Sequence, residues 1–475
     1  MLLDDGLTVV LDVGKTLTKL SLWDQSGAMI ARETRLNQRV DAGAYAALDA
    51  VGIETWAAGV LRDFATKGRV TGIVPVAHGA ALAILRDGKL ACPPTDYEDP
   101  VPQAVRAAYE LDRDAFALTG SPRLPDGLNC GIQLAWLETL HPGLVGPGAT
   151  VVTWAQYWAW LFCGVAATEL TSLGCHSDLW RPLEAQPSGL AARRGWAELF
   201  APLRAAGDIL GALTPAWAER TGLPAETKVY CGLHDSNAAL LAARGFPEIA
   251  QHDFTVLSTG TWFVAMRSPV WSTDVDISAL SETRDCLVNI DAYGLPIPSA
   301  RFMGGREVEI LSGVDTRRID SKPEQADLLA AAPAVVSAGR GALPTFTPGV
   351  GPFPNGHGRW IDMPSDAIGR RAAVCLYAAL VADAALDLIG ARERILVEGR
   401  FAEAQVFVRA LASLRPRDTI YVSNARHDVS YGALRLLDPR IEASSPLEKV
   451  RPLETDLRAY ASQWRREAAR IEAAA

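Results

Sequence analysis

The sequence predicts an α/β protein of two domains built on one plan, and three observations predict it. A chain of 475 residues exceeds what one hydrophobic core supports. Strand-like runs alternate with helical ones along it, which implies α/β layers. Finally, a hairpin with a polar, glycine-bearing tip opens each half: Leu7 to Trp23 (LTVVLDVGKTLTKLSLW) and Phe254 to Met266 (FTVLSTGTWFVAM).

Each element has its own signal. The apolar run Thr8 to Leu11 leads to Asp12, and Gly14-Lys15 makes a tight turn. Thr18, Leu20 and Leu22 then alternate with Lys19, Ser21 and Trp23, the period of a strand. Val70 to Ala77 reads as a strand and Leu134 to Glu138 as part of a short helix. Lys228 to Cys231 is a strand feeding a helix over Ser236 to Ala243. The breakers Gly245-Phe246-Pro247 end that helix, which sets the domains at 1–244 and 245–475. In the second half, the Gly- and Pro-rich Gly339 to Gly358 reads as a long surface loop. Arg370 to Gly390 is a helix dense in Ala, Leu and Val. Ile395 to Val397 is a short strand reaching Glu398-Gly399, Tyr421 to Ser423 another strand, and Tyr431 to Leu437 a helix. The C-terminal AYASQWRREAARIEAAA reads as a charged, amphipathic surface helix.

Composition excludes several classes. The hydrophobic share of 49% and charged share of 21% are those of a globular protein. A net charge of −9 argues against a nucleic-acid partner, because phosphate backbones need a basic surface. Seven cysteines stand singly with no C-x-x-C pair, which disfavours metal knuckles and redox dithiols and fits a reducing compartment. The opening MLLDDGLTVVLD puts acids where a secretory signal needs a basic region. Thr150 to Thr168 (TVVTWAQYWAWLFCGVAAT) is short for a membrane span, holds Gln156 and lacks basic flanks, so it reads as a buried helix. The expectation is a soluble, cytoplasmic protein with neither nucleic-acid nor membrane partners.

Two motifs carry chemistry. In Asp12 to Lys19 (DVGKTLTK), Gly14-Lys15-Thr16 looks like the end of a Walker loop. Val9 stands where that loop's first glycine belongs, and a strand rather than a helix follows, so the Walker reading fails. The alternative is a phosphate-binding hairpin, in which a strand-end Asp holds a metal, a glycine lets the backbone approach phosphates, and hydroxyls and a lysine add donors. A bare hairpin turn accounts for the same residues. In Gly232 to Leu240 (GLHDSNAAL), Asp235 stands at a strand-to-helix junction. It can cap the helix, or face a cleft and take a proton from a hydroxyl attacking phosphorus. The two roles are compatible.

The Asp12 hairpin, the Asp235 junction and the Ser258-Thr259-Gly260-Thr261 hairpin stand in an order and spacing that resemble the FGGY carbohydrate kinases. The resemblance runs over most of the chain. Tyr157 to Gly174 looks like the family's helix, small hairpin and acidic-hydroxyl segment. Asn129 to Leu137 (NCGIQLAWL) resembles the segment leading to its lysine- or glutamine-rich helix before a tryptophan, and His234-Asp235 is similar to the His-Asp of rhamnulokinase-type members.

That resemblance implies two ribonuclease H-like domains of the actin-like ATPase superfamily flanking a central cleft. Sugar binds mainly to the first and nucleotide mainly to the second; a homodimer is common in the family. It implies ATP and Mg2+ as cofactors and Asp235 as catalytic base. Asp12 would position Mg2+, often through water, while Gly14, Thr16 and Lys19 line the phosphate path. Thr259, Gly260 and Thr261 would hold phosphates from the second domain, and Gly399 would approach the adenosine. There are departures. Glu398-Gly399-Arg400 offers one glycine where the family has two or three, and His357 replaces an acid expected in Pro354 to Arg359.

On the sugar side, His78-Gly79 resembles the His-Gly of ketose kinases, and His234 precedes the base as in rhamnulokinase-type sites. Asp96 and Asn129 sit where other members bind hydroxyls. Glu169 is expected to tie its own hairpin together, and Trp154, Trp158 and Trp160 to pack a core rather than stack on sugar. The reaction implied is transfer of the ATP γ-phosphate to a hydroxyl of a small ketose or deoxy-ketose, such as L-rhamnulose or L-fuculose. A tetritol or pentitol is the rival acceptor. A non-kinase actin-like ATPase and a sugar-binding protein are the rival classes.

Overall fold

The computed structural model describes residues 6–271, 275–315, 322–423, 429–441 and 445–474. The chain divides into two compact units. The first comprises Met1–Gly245, Val288–Pro296 and His427–Ala443; the second comprises Phe246–Leu287, Ile297–Arg426 and Ser444–Ala475. The units are therefore not unbroken halves, and the reason lies in packing. The helix Val429–Leu437 lays Tyr431, Ala433, Leu434 and Leu437 against Ala238, Leu241 and Ala242 of the helix Asp235–Ala243. No local period announces such a pairing across nearly two hundred residues.

In the first unit the central sheet runs in the order Ile209–Ala212, Lys228–Tyr230, Val70–Ala77, Leu7–Val13, Leu17–Trp23, Met29–Leu36. The last three form an antiparallel meander, and Val70–Ala77 lies parallel to Leu7–Val13. Leu233–His234 also pairs in parallel with the end of Val70–Ala77. The second unit repeats the plan. Pro296–Phe302, Phe263–Ser268 and Phe254–Thr259 are antiparallel neighbours, and Arg394–Gly399 then Thr419–Val422 follow in parallel. Both units thus show the strand order of a ribonuclease H-like domain, as the paired hairpins imply.

Strands Leu7–Val13 and Val70–Ala77 are buried almost throughout, as parallel strands covered on both faces must be. On one face, Val9, Leu11 and Ile73 meet Ile53, Leu61 and Phe64 of the helix Ala50–Ala65, together with Trp154, Trp158 and Phe162. The second unit's core forms around the helix Ala367–Leu388, whose alanines let neighbouring layers approach closely.

Three local readings change. Thr150 to Thr168 begins as a strand, Thr150–Thr153, because its Thr-Val-Val-Thr run is β-branched; the helix is only Trp154–Cys163, ended by left-handed Gly164. Gly339 to Gly358 is not all surface loop: Gly341–Leu343 is a buried strand paired with Arg359–Ile361. The helix Arg458–Ala474 is exposed on one side only, since Trp464 is buried and its Nε1 donates to the Ala342 carbonyl at 2.7 Å. Among the described residues no helix is long and apolar enough to cross a membrane.

Candidate active site

The first unit gathers its polar groups at the carboxyl ends of parallel strands, where ligands bind in open α/β sheets. Asp12 stands beside Val76, Val13 beside Ala77, and His234 also beside Ala77. Asp12, His78 and Asp235 therefore leave adjacent strands at one edge. Asp12 is buried, and its Oδ2 accepts from Lys19 Nζ at 2.9 Å across the hairpin. Thr18 Oγ1 donates to Asn37 Oδ1 (2.7 Å), and Asn37 Nδ2 donates to the Gly14 carbonyl (2.8 Å), so the third strand braces the tip. Thr16 is left exposed.

Next to this tip lies a concavity of about 170 Å³, lined by Gly14, Lys15, Thr16, Arg39, His78 and Asp96 among others. Asp96 is fully buried between two cations: Lys15 Nζ pairs with Oδ1, and Arg39 Nε lies 3.0 Å from Oδ2. Lys15 also sits 4.7 Å from the centre of the Tyr97 ring. His78 packs edge-on to Tyr97 at 5.5 Å and against Trp154 at 6.4 Å. Burial pushes its pKa down to about 4, with the Asp235 charge opposing. At neutral pH the ring is uncharged, and its buried Nδ1 has no hydrogen-bond partner among the described residues, a polar atom suited to a ligand hydroxyl.

Asp235 is the first residue of its helix, not the cap: His234 occupies the cap position and makes no side-chain cap bond. Gly232 makes the approach to it possible. Its φ is +82°, and a Cβ there would fall 2.1 Å from the Pro75 carbonyl. Burial alone would raise the Asp235 pKa. The hydrogen bond and charge of His234 outweigh this and hold the carboxylate below its usual range. His234 Nε2 lies 3.1 Å from Asp235 Oδ1. Asp235 does not line the concavity itself but acts on His78, which does, and as an ionised carboxylate it can accept a proton.

Asn129 is not among the concavity's lining residues. Its Oδ1 accepts from Leu124 N, while its Nδ2 faces Ser121 Oγ and the Pro122 and His176 carbonyls, all within 3.1 Å. Glu169 ties its segment, accepting from Thr171 N at 2.9 Å and Thr171 Oγ1 at 2.6 Å, although burial pushes its pKa up to about 7. Trp154 and Trp158 are core residues, crossing edge-on at 5.1 Å.

In the second unit the hairpin closes with Gly260 N donating to the Trp262 carbonyl (3.0 Å). Thr259 Oγ1 donates to the Glu398 carbonyl (2.5 Å) and accepts from Phe401 N (3.0 Å), so its hydroxyl locks two strand ends together. Thr261 is exposed at the tip. Gly399 has φ +84° and ψ −158°, and a Cβ there would lie 2.2 Å from the Thr259 carbonyl. Only glycine fits, because the Thr259 backbone of the neighbouring strand already fills the space a side chain would take. Among the described residues no three His, Cys, Asp or Glu side chains group to cage a metal. The single carboxylate of Asp12 does suit Mg2+, which keeps waters and takes phosphate oxygens rather than an all-protein cage.

Residues 251–445 match the family described as carbohydrate kinase FGGY, C-terminal domain. A carbohydrate kinase from Novosphingobium aromaticivorans of known crystal structure is 57% identical, with a TM-score of 0.94, over 97% of this chain and all of that one. The chain belongs to the FGGY carbohydrate kinases. An L-fuculokinase of Salmonella typhi is 28% identical over 331 residues, which are 63% of this chain and 64% of that protein's length. Xylulose kinase from Rhodospirillum rubrum, at 19% identity and a TM-score of 0.76 over 98% of both chains, shares the fold.

Lys15, Asn37 and Arg39 were not singled out by sequence. Lys15 had a signal, since it sits inside the phosphate hairpin. Arg39 had none, because only folding brings it to Asp96.

Proposed function

We propose that this FGGY kinase transfers the γ-phosphoryl group of ATP to a hydroxyl of a small ketose, with Asp235 as general base. The observation that supports this reading best is the place of Asp235: at the strand ends shared with Asp12 and His78, ionised, and near enough for its charge to act on the His78 ring.

In this reading the neutral His78 ring both donates and accepts, which suits a carbonyl or ring hydroxyl. Asp96, held by Lys15 and Arg39, presents its carboxylate from the same wall. Asn129 supports them at one remove through the loop it ties. The attacking hydroxyl gives its proton to Asp235 as the oxygen approaches phosphorus. Gly14, Thr16 and Lys19 donate to phosphate oxygens, as do Gly260 and Thr261 of the second hairpin, with Thr259 fixing that hairpin's shape and Gly399 admitting the adenosine. Mg2+ bound with the nucleotide supplies charge neutralisation on the phosphates, and Asp12 is the residue to hold it. A deoxy-ketose is favoured by the likeness to an L-fuculokinase together with His78-Gly79. The seven free thiols suit the cytoplasm.

The test is sugar-dependent ADP release over a panel of ketoses, aldoses and polyols, with Asp235→Asn alongside. A ketose should give the highest kcat/KM, and Asp235→Asn should lower kcat by roughly 10²–10⁴-fold while sugar KM stays within about tenfold. A polyol exceeding every ketose tenfold overturns the ketose assignment. Release stimulated by no sugar overturns the kinase reading.

A further inference from the structure

His234 is a buried polar side chain of the first unit, and its surroundings are built from four places in the sequence. Its backbone N donates to Thr171 Oγ1 at 2.9 Å, and that hydroxyl donates in turn to Glu169. Its Nδ1 faces Asn237 Nδ2 at 3.3 Å. Its Nε2 lies 3.1 Å from Asp235 Oδ1 and 3.7 Å from Cys175 Sγ. Gly79 closes the remaining side: a Cβ there would sit 2.7 Å from Cys175 Sγ and 3.0 Å from His234 Nε2. The ring is 5% exposed. A substrate hydroxyl has little room to reach it, and both nitrogens already have neighbours.

The Asn237 amide decides where the ring proton lies. As placed, Nδ2 donates to Nδ1, which must then be the acceptor, so Nε2 carries the proton and donates to Asp235. In that placement Asn237 Oδ1 is buried with no hydrogen-bond partner among the described residues. Turning the amide over would let Oδ1 accept from a protonated Nδ1, and the ring would be an imidazolium with both nitrogens donating. With Nε2 protonated, in the neutral ring or the imidazolium, its N–H stands 3.1 Å from Asp235 Oδ1, which also accepts from Ser236 Oγ at 3.3 Å.

We propose that His234 is a positioning residue, which fixes the orientation of the Asp235 carboxylate through its Nε2–H and does not bind the sugar. This rests on Asp235 being the base. The charges around the pair are few and can be named. His78 faces Asp235 from the neighbouring strand end, with Lys15 beyond it. Cys175 faces the ring from the turn after Leu170–Leu173, with His176 beside that thiol, and Glu169 lies at the start of the same turn. Burial works against a charged His234, but Cys175 and Asp235 outweigh it and hold its pKa well above the ordinary value. Asp235 is held low in return.

The test compares His234→Leu with His234→Gln, whose terminal amide can still donate near the Nε2 position. In His234→Leu the carboxylate loses its main charge-stabilising partner, so the acid limb of kcat/KM should move up by about one pH unit or more. Its kcat should fall about 10–100-fold, within the range of general-base effects, with sugar KM changed less than about threefold. His234→Gln should recover most of the lost kcat, with the limb in between. A sugar KM raised more than tenfold with an unmoved limb would make His234 a substrate ligand and overturn the proposal. Equal losses in both variants with an unmoved limb would reduce it to packing and also overturn it. Should His234→Leu fail to fold, His234→Gln decides by the same two readouts. Near wild-type turnover in Asp235→Asn would strike the base reading itself, an outcome read independently of either His234 variant.

Discussion

The hairpins Leu7–Trp23 and Phe254–Ser268 share a strand plan but are held by different forces. In the first, Asp12 pairs with Lys19 across the strands, Lys15 pairs with Asp96, and Asn37 bonds the tip. Charged side chains do the holding. In the second, no ion pair joins Ser258, Thr259, Gly260 or Thr261 among the described residues; Thr259 and the bare backbone of Gly399 lock the strand ends in van der Waals contact. One edge is therefore sensitive to charge and the other to volume. A duplicated backbone plan can keep its geometry while the interactions that secure it diverge.

The largest effect should come from volume in the second unit. Gly399→Ala places a methyl 2.2 Å from the Thr259 carbonyl at a φ/ψ that only glycine adopts. Strain of this kind costs roughly 1–3 kcal/mol before any clash is counted. Denaturant unfolding should show a destabilised second unit and kinetics a raised ATP KM; a variant as stable as the parent would break the contrast.

Charge in the first unit comes next. Lys19→Met removes a cation from the buried Asp12 and should destabilise the first unit by roughly 1–3 kcal/mol, with a raised ATP KM. Because the pair is partly solvated, 0.5 M salt should narrow the difference from the parent. No salt dependence would argue that packing, not charge, holds this tip.

Tip hydroxyls should matter less and equally in both units. Thr16→Val and Thr261→Val each delete one exposed donor and should raise ATP KM by about 3–10-fold, the worth of one hydrogen bond. An unchanged ATP KM in Thr261→Val would remove the second hairpin from phosphate binding.

The smallest effect is a pH-dependent one at Glu398, where burial pushes the carboxyl up to about 7. A pKa raised above 4.5 on folding means that stability is fully present below that value and lost as pH rises through about 7. Glu398→Gln should therefore raise the melting temperature at pH 8, by an amount equivalent to about 1–3 kcal/mol, and leave it near the parent's at pH 4. Equal shifts at both values would contradict a buried, titrating Glu398.

What the sequence alone determined is local. The alternation in Thr18 to Trp23, the buried run Val70 to Ala77, the polar tips and the Asp235 junction each carry their own period or punctuation, and each forms as read. Even Glu169 was legible, since its carboxylate bonds residues only two and three positions away. Tertiary structure decided the rest. It brought Lys15 to Asp96, 81 positions on, and Cys175 to His234, 59 positions on. It spent the Asn129 amide on a loop and drew the helix Val429–Leu437 into the first unit. The physical reason is one of range. Backbone hydrogen bonding imposes a period that a few residues suffice to display, whereas an ion pair or helix contact between distant segments depends on chain closure and core packing, which leave no period in the sequence.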